Sequence, residues 1–216
     1  MSLFHRDTIE HELKKRDVTR LLHSTHLLIN LPQILRDGLL DTARGLRSRL
    51  GDSANRLLHD PVRFEKFTVG LDYINCALSV PNYELLYARS KSAWQFEWVH
   101  LALDLKLLNH SDTLFSPVSA ASEFGKHVKP GLEGLRLMFG DKTKEWTRDN
   151  LNKSTPTHPQ AEVLIRGPLD LSHVHAILVA DSSRLTEVSR LTHFHNCSIP
   201  VQIDASLFLW PSRLKK

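Results

Sequence analysis

Residues 157–167, THPQAEVLIRG, set one carboxylate, Glu162, between a proline-bearing polar loop and a short apolar run. A run rich in β-branched residues and bounded by turn formers reads as a buried strand, which places Glu162 at the strand's mouth. A carboxylate there can take a proton or stabilise a developing positive centre, and equally it can be a surface residue or a clamp on the backbone. In LLHSTHLL, His23 and Thr25 lie two apart and share one face if the segment is extended; the plain alternative is a polar edge strand. Arg63, in HDPVRFEKF, is either a solvated charge or a fork for phosphate, since guanidinium matches phosphate oxygens in pairs. Asn82 and Tyr83 follow Pro81 in a strand-to-helix turn. His193, His195 and Cys197, in HFHNC, recur with period two and would share a face of an extended segment. A structural zinc takes four ligands, though, and neither a partner set nor H-E-x-x-H is present, so no metal site is expected. The chain also lacks G-x-G-x-x-G, the P-loop pattern and a nucleophile elbow, which removes the common dinucleotide, nucleotide and serine-hydrolase scaffolds.

The elements that must hold these residues follow from composition and pattern. With 216 residues, 41% hydrophobic and 24% charged, the chain can bury one sizeable core, and a single domain is expected. A net charge of +4 suits a polyanionic partner. Cys76 and Cys197 alone make no disulfide framework, and no apolar run approaches the roughly 20 residues that cross a bilayer, so a cytoplasmic protein away from membranes is expected. A helix is predicted over Thr8–Arg16, then a strand in VTRLLHSTHLL. A short helix follows in NLPQILRDGLL, with Asn30 as cap, Pro32 in the first turn and Gly38 as a left-handed stop. Residues 41–67 contain Arg44, Arg47, Arg49, Arg56 and Arg63 without strong periodicity and read mostly as loop. Strands return at DYINCALSV, WVHLALDL, AEVLIRG, VHAILVAD and IPVQIDASLFLW, with helical or irregular pieces at SAASEFGKHV and PGLEGLRLMFG. This order gives an α+β fold rather than alternating βαβ units, with residues 1–17 as a helical extension and 181–216 as a C-terminal extension.

Taken in order, the segments resemble the DarT family of DNA ADP-ribosyltransferases, the toxin halves of DarTG toxin–antitoxin pairs. HSTHLLINLPQILRDGLL is similar to the family's H-x-T-H, N-L-P-x-I-L and Gly-Leu turn. INCALSVPNYELLYARS, WVHLALDLKLL and TLFSPVSAAS resemble its following strand, turn and Ala-Ala-Ser segments, and PTHPQAEVLI matches its P-T-x-P-Q-A-E-V-L-V block closely. The similarity spans roughly residues 18–180. Ser119 stands where the family usually has Asn, and the residues around Arg63 differ from the common R-L-D, so Arg56 competes with it for the functional arginine.

The resemblance implies an ADP-ribosyltransferase-like fold with mixed central β-sheets and short flanking helices. It further implies NAD as the ADP-ribose donor, a base of single-stranded DNA as acceptor, and a macrodomain antitoxin of the DarG kind as partner. Glu162 is then the catalytic carboxylate and Arg63 its companion, while His23, Thr25, Asn30 and Tyr83 hold NAD. Arg56, Gln160, His158 and Trp146 are expected on the DNA side, with the loop 150–160 facing the acceptor, and Tyr83 and Trp94 join Trp146 as possible stacking surfaces. The family modifies thymidine or guanosine, and the residues do not choose between them. Two alternatives stay open: transfer to RNA, protein or water, and a nucleic-acid-binding module on an inactive transferase scaffold.

Overall fold

In the computed structural model, which describes residues 8–57, 67–90, 97–211 and 214 apart from the side chains of 55 and 56, helix ends sit where short polar side chains or glycine satisfy the backbone. Helix α1 (Ile9–Lys15) opens on Thr8, whose Oγ1 accepts from the His11 amide at 3.1 Å. Strand β1 (Leu21–His26) leads to α2 (Leu31–Asp37), which carries Pro32 in its first turn and stops at Gly38 with φ 70°. Asn30 holds the cap position without capping: its Nδ2 donates instead to the Leu57 carbonyl at 2.8 Å.

After β2 (Leu39–Leu40), the first part of the arginine-rich segment is helical, contrary to the loop expected there: α3 covers Ala43–Leu50 and a 3₁₀ turn follows over Gly51–Arg56. Charge pairing and a cap hold α3 where periodicity is weak. Thr42 Oγ1 accepts from the Gly45 amide at 3.1 Å, Arg49 reaches Asp37 at 2.9 Å and Asp41 at 2.7 Å, and Arg44 reaches Asp72 at 2.6 Å.

The remaining elements are β3 (Tyr73–Leu78), α4 (Tyr83–Ser90), β4 (Trp98–Leu103), β5 (Leu114–Ser116), β6 (Lys129–Pro130) and α5 (Gly131–Leu137). They continue with β7 (Lys142–Thr143), β8 (Trp146–Thr147), β9 (Glu162–Arg166), β10 (Leu169–Asp170), β11 (Val174–Val179), α6 (Ser182–Phe194) and β12 (Val201–Ile203). The expected strand IPVQIDASLFLW is thus short, because Ala205–Phe208 turns as a 3₁₀ helix to bury Leu207 and Phe208. HFHNC is not extended either. His193 lies in the last turn of α6 and His195 caps it, so helical geometry separates the two rings that a strand would have aligned. Among the described residues, no three His, Cys, Asp or Glu side chains gather as a metal site, and no helix is long and apolar enough to cross a membrane.

Eight strands form one sheet in the order β12-β11-β4-β1-β3-β9-β5-β6, antiparallel except for β11 with β12. One face buries Leu21, Leu101, Phe115, Val163 and Ile177 beneath α1, α2, α5 and α6; the other packs Leu22 and Leu178 against Tyr83, Trp98, Leu207 and Phe208. The alternation of Leu21 and Leu22 between these clusters is the period-two pattern of a strand covered on both sides.

Candidate active site

β1 pairs with β4 along its whole length, from Leu21↔Leu103 to His26↔Trp98, but with β3 only through Leu21↔Leu78 and Leu22↔Ala77. Beyond those pairs the strands part, and a cavity of about 170 Å³ opens in the wedge, far above the ~10–15 Å³ that one water needs. His23 and Thr25 line it from β1, Tyr73, Ile74 and Asn75 from β3, and Asn30, Ile34 and Leu57 from the covering segments. His23 and Thr25, paired in the sequence by spacing, therefore do share a wall.

The His23 Nδ1–H donates to the Asn75 carbonyl at 2.9 Å, spanning the wedge. Burial lowers the His23 pKa against the opposing effect of that bond, so the ring is neutral and its Nε2 presents a lone pair. Thr25 is buried, and Asn30 keeps a buried Oδ1 with no hydrogen-bond partner among the described residues. An acceptor without a partner in a cavity wall suits a ligand amide or hydroxyl. At the far wall Arg49 is pinned by Asp37 and Asp41, and although burial pushes the Asp37 carboxyl up, hydrogen bonds from Gln33, Arg49 and Arg36 hold it below its ordinary range. The cavity wall there is thus a closed ion-pair network.

Glu162 heads β9 on the far side of β3, where Cys76 faces Val163 and Asn75 faces Leu164. It is 4% exposed, and its Oε2 accepts from the Ala120 amide at 2.9 Å. That bond fastens the strand mouth to the turn after β5, whose Ser116 lies opposite Glu162. Burial, helped by the Glu162 charge, pushes the Cys76 thiol far up, which leaves it a neutral core residue. Glu162 is not among the cavity-lining residues, and neither is Tyr83, which sits in the core edge-on to Trp210 at 6.3 Å.

The loop before Glu162 is fixed by contacts that carry no local sequence signal. Thr157 is fully buried, its Oγ1 donating to the Gly140 carbonyl at 2.6 Å and its amide to Met138 at 2.9 Å. Arg148 gathers the loop, donating to the carbonyls of Thr155 at 2.9 Å and Asn152 at 3.1 Å. His158 Nδ1 accepts from the Gln160 amide at 3.0 Å, and its ring stands edge-on to Trp146 at 6.1 Å. Three of the residues expected on the nucleic-acid side, Trp146, His158 and Gln160, are therefore brought together beside Glu162. Arg63, Trp94 and the side chain of Arg56 lie outside the described residues.

The sheet that parts around this wedge, with a buried Glu at the head of the adjoining strand, has the fold of solved DarT structures. Thermosipho africanus DarTG in complex with ADP-ribose is similar over 90% of this chain, with a TM-score of 0.62 and 20% identity. Thermus sp. 2.9 DarT in complex with NAD+ is similar over 89% of this chain and 98% of its own, with a TM-score of 0.62 and 17% identity. The same Thermus protein in complex with ADP-ribosylated ssDNA gives a TM-score of 0.55, 18% identity and coverage of 89% and 97%. The chain spans 52% of the Thermosipho protein's length. No curated protein shows significant sequence similarity to the chain. The model of the DarT family, described as ssDNA thymidine ADP-ribosyltransferase, matches residues 22–209, and the chain belongs to that family.

Proposed function

We propose that this protein transfers ADP-ribose from NAD to a thymidine base of single-stranded DNA and acts as a toxin restrained by a macrodomain antitoxin. The observation that carries the reading is the wedge between β1 and β3, lined by His23, Thr25 and Asn30, with Glu162 locked at the head of the next strand in a chain of this family. The structural neighbours support the substrates: the Thermus DarT structures are complexes with NAD+ and with ADP-ribosylated ssDNA, and the Thermosipho DarTG structure is a complex with ADP-ribose. Thymidine is supported by the family's description.

In the reaction, the bond between nicotinamide and the ribose anomeric carbon breaks, and nicotinamide leaves with the electron pair as a neutral molecule. Positive charge develops on the ribose as in glycoside hydrolysis. His23, neutral and oriented by Asn75, accepts a hydrogen bond from the donor through Nε2; Thr25 and Asn30 add polar contacts on the same wall. Glu162 stabilises the cationic centre and takes the proton that the incoming base nitrogen releases as its new bond to the anomeric carbon forms. Arg63, or Arg56, neutralises the diphosphate or positions the acceptor. Tyr83, proposed as a further NAD contact, stands at the start of α4, whose Leu85 and Arg89 line the cavity. Trp146, His158 and Gln160 receive the DNA strand, whose target base is reached in single-stranded DNA or as a flipped nucleotide because a stacked duplex hides its ring atoms.

The whole chain works as one catalytic domain in the cytoplasm. The ion pair of Glu12 with Arg136 at 3.3 Å seats the N-terminal helix, and the pairing of β12 with β11 draws the C-terminal extension into the sheet, which supports the single domain. Incubation with labelled NAD and a thymidine-containing oligonucleotide, a thymidine-free one, tRNA or no acceptor tests it. Label appearing only on the first is expected; label confined to RNA or protein would sink the DNA assignment, and label on both oligonucleotides would sink thymidine.

A further inference from the structure

We infer that Phe124 is a stacking platform for a base of the single-stranded DNA substrate, carried by the same turn that fastens Glu162; this rests on the function proposed above. The ring is 78% exposed, although Phe is among the residues that gain most from burial. Its backbone lies in the left-handed region at φ 58°, between Glu123 at φ 49° and Gly125 at φ 86°. Non-glycine residues persist there only when their surroundings enforce it, and such residues cluster at functional sites.

The enforcing contacts lie on both flanks. On the N-terminal side Ala120 donates to Glu162 and is itself fully buried; on the C-terminal side the Val128 amide donates to Gly125 at 3.0 Å. A Cβ on Gly125 would stand 2.5 Å from the Phe67 ring, so the turn lies flat on that side chain. Lys144, next to Trp146 in the β7–β8 hairpin, donates to Ser122 Oγ at 3.0 Å and ties the hairpin to the turn. The outcome is an outward aromatic ring on a rigid support, one element away from the proposed catalytic carboxylate.

Single-stranded nucleic acid is the occupant that this chemistry fits. Base faces stack on exposed aromatic rings whatever the sequence, and cations along the groove meet the backbone phosphates. Lys126 follows Phe124 on the turn, Lys129 opens β6 and Lys144 bonds Ser122 from the neighbouring hairpin, while Glu123 pairs with Lys126 at 3.3 Å and His127 at 3.0 Å. The Lys144–Ser122 bond links this turn to the hairpin that carries Trp146, whose ring meets His158.

The test is the affinity of the full chain for a fluorescent single-stranded oligonucleotide, measured over a series of salt concentrations, in wild type, Phe124→Ala, Phe124→Trp and Lys126→Ala/Lys129→Ala. Phe124→Ala is expected to bind about 5- to 150-fold more weakly, the range for loss of one stacked base. Phe124→Trp should recover wild-type affinity. The salt slope should stay at the wild-type value in Phe124→Ala and flatten in the double lysine variant, because only the lysines displace counterions. Phe124→Ala binding within twofold of wild type, or Phe124→Trp binding as weakly as Phe124→Ala with thermal melts unchanged, would overturn the inference. If wild type modifies no DNA at all in the labelled-NAD assay, the proposed function fails first, and the two failures are thereby separate.

Discussion

Replacing Glu162 by glutamine removes its charge and keeps its shape, which separates the two jobs assigned to this side chain. The amide oxygen of Gln can still accept from the Ala120 N–H, now 2.9 Å from Oε2, so the clamp between β9 and the turn survives as a neutral bond. Exchanging a charged for a neutral hydrogen bond costs about 1 kcal/mol, whereas Glu162→Ala leaves a buried N–H without a partner at a cost of about 1–3 kcal/mol, in addition to the space it vacates. For a chain of this size each kcal/mol lowers Tm by roughly 2–4 °C. Glu162→Gln should therefore melt roughly 2–4 °C below wild type and Glu162→Ala clearly lower still. Both should release nicotinamide about 10²- to 10⁴-fold more slowly, the usual contribution of a positioned general base. Parallel thermal melts and nicotinamide-release assays decide the matter. Release by Glu162→Gln within tenfold of wild type would refute the catalytic role, and equal melting losses in the two variants would refute the clamp.

Acid should weaken the fold through its buried histidines. Burial, with a smaller push from His23, holds His100 down to about 3, and burial lowers His23 as well. With folded pKa values below the unfolded value of about 6.5, the stability these neutral rings contribute is complete above that pH. It drains away as pH falls from there towards the His100 value. Urea midpoints at pH 7, 5.5 and 4.5 should fall accordingly, and His100→Leu should flatten the trend; an unaltered slope in that variant would refute it. Arg148→Ala should loosen residues 149–157, seen as faster amide exchange and easier proteolysis there, at about 1–3 kcal/mol. Arg148→Lys should rescue little, because a point charge cannot reach both carbonyls as a fork does. Gly125→Ala should cost about 1–3 kcal/mol and slow transfer together, since both the left-handed backbone and the Phe67 ring oppose a Cβ; a fully stable, fully active variant would exclude a rigid turn.

The strands β1, β3, β4, β9 and β11 were legible because their β-branched and apolar runs are long enough for period-two packing, and Gly38 was legible because a left-handed stop is a local demand. Arg49 was not: α3 depends on Asp37, Asp41 and Asp72, partners brought in by the fold rather than by helical spacing. Asn30 shows the same limit. Its type and position suit a cap, yet a carbonyl 27 residues away recruits the amide. For Tyr83, the family resemblance implied a place on NAD, and its packing edge-on to Trp210, far downstream, has no signature in the residues around it. Glu162 was placed by resemblance, and its clamp on Ala120, 42 residues back, has no signature in either segment. HFHNC failed as an extended segment because α6 continues through Phe194.

The first strand of the chain ends up among the most interior strands of the sheet, and this shapes how the protein comes into being. β1 waits for β3 and β4, and its Ser24 meets His100 only across 76 residues of intervening chain. During synthesis or refolding, a strand with both hydrogen-bonding edges bare must persist until those later segments arrive, and such distant closures make folding slow. Through that interval the chain is open to capture by chaperones or by other unpaired strands. The time that β3 and β4 take to close around β1 therefore sets how long the chain stays exposed to those losses.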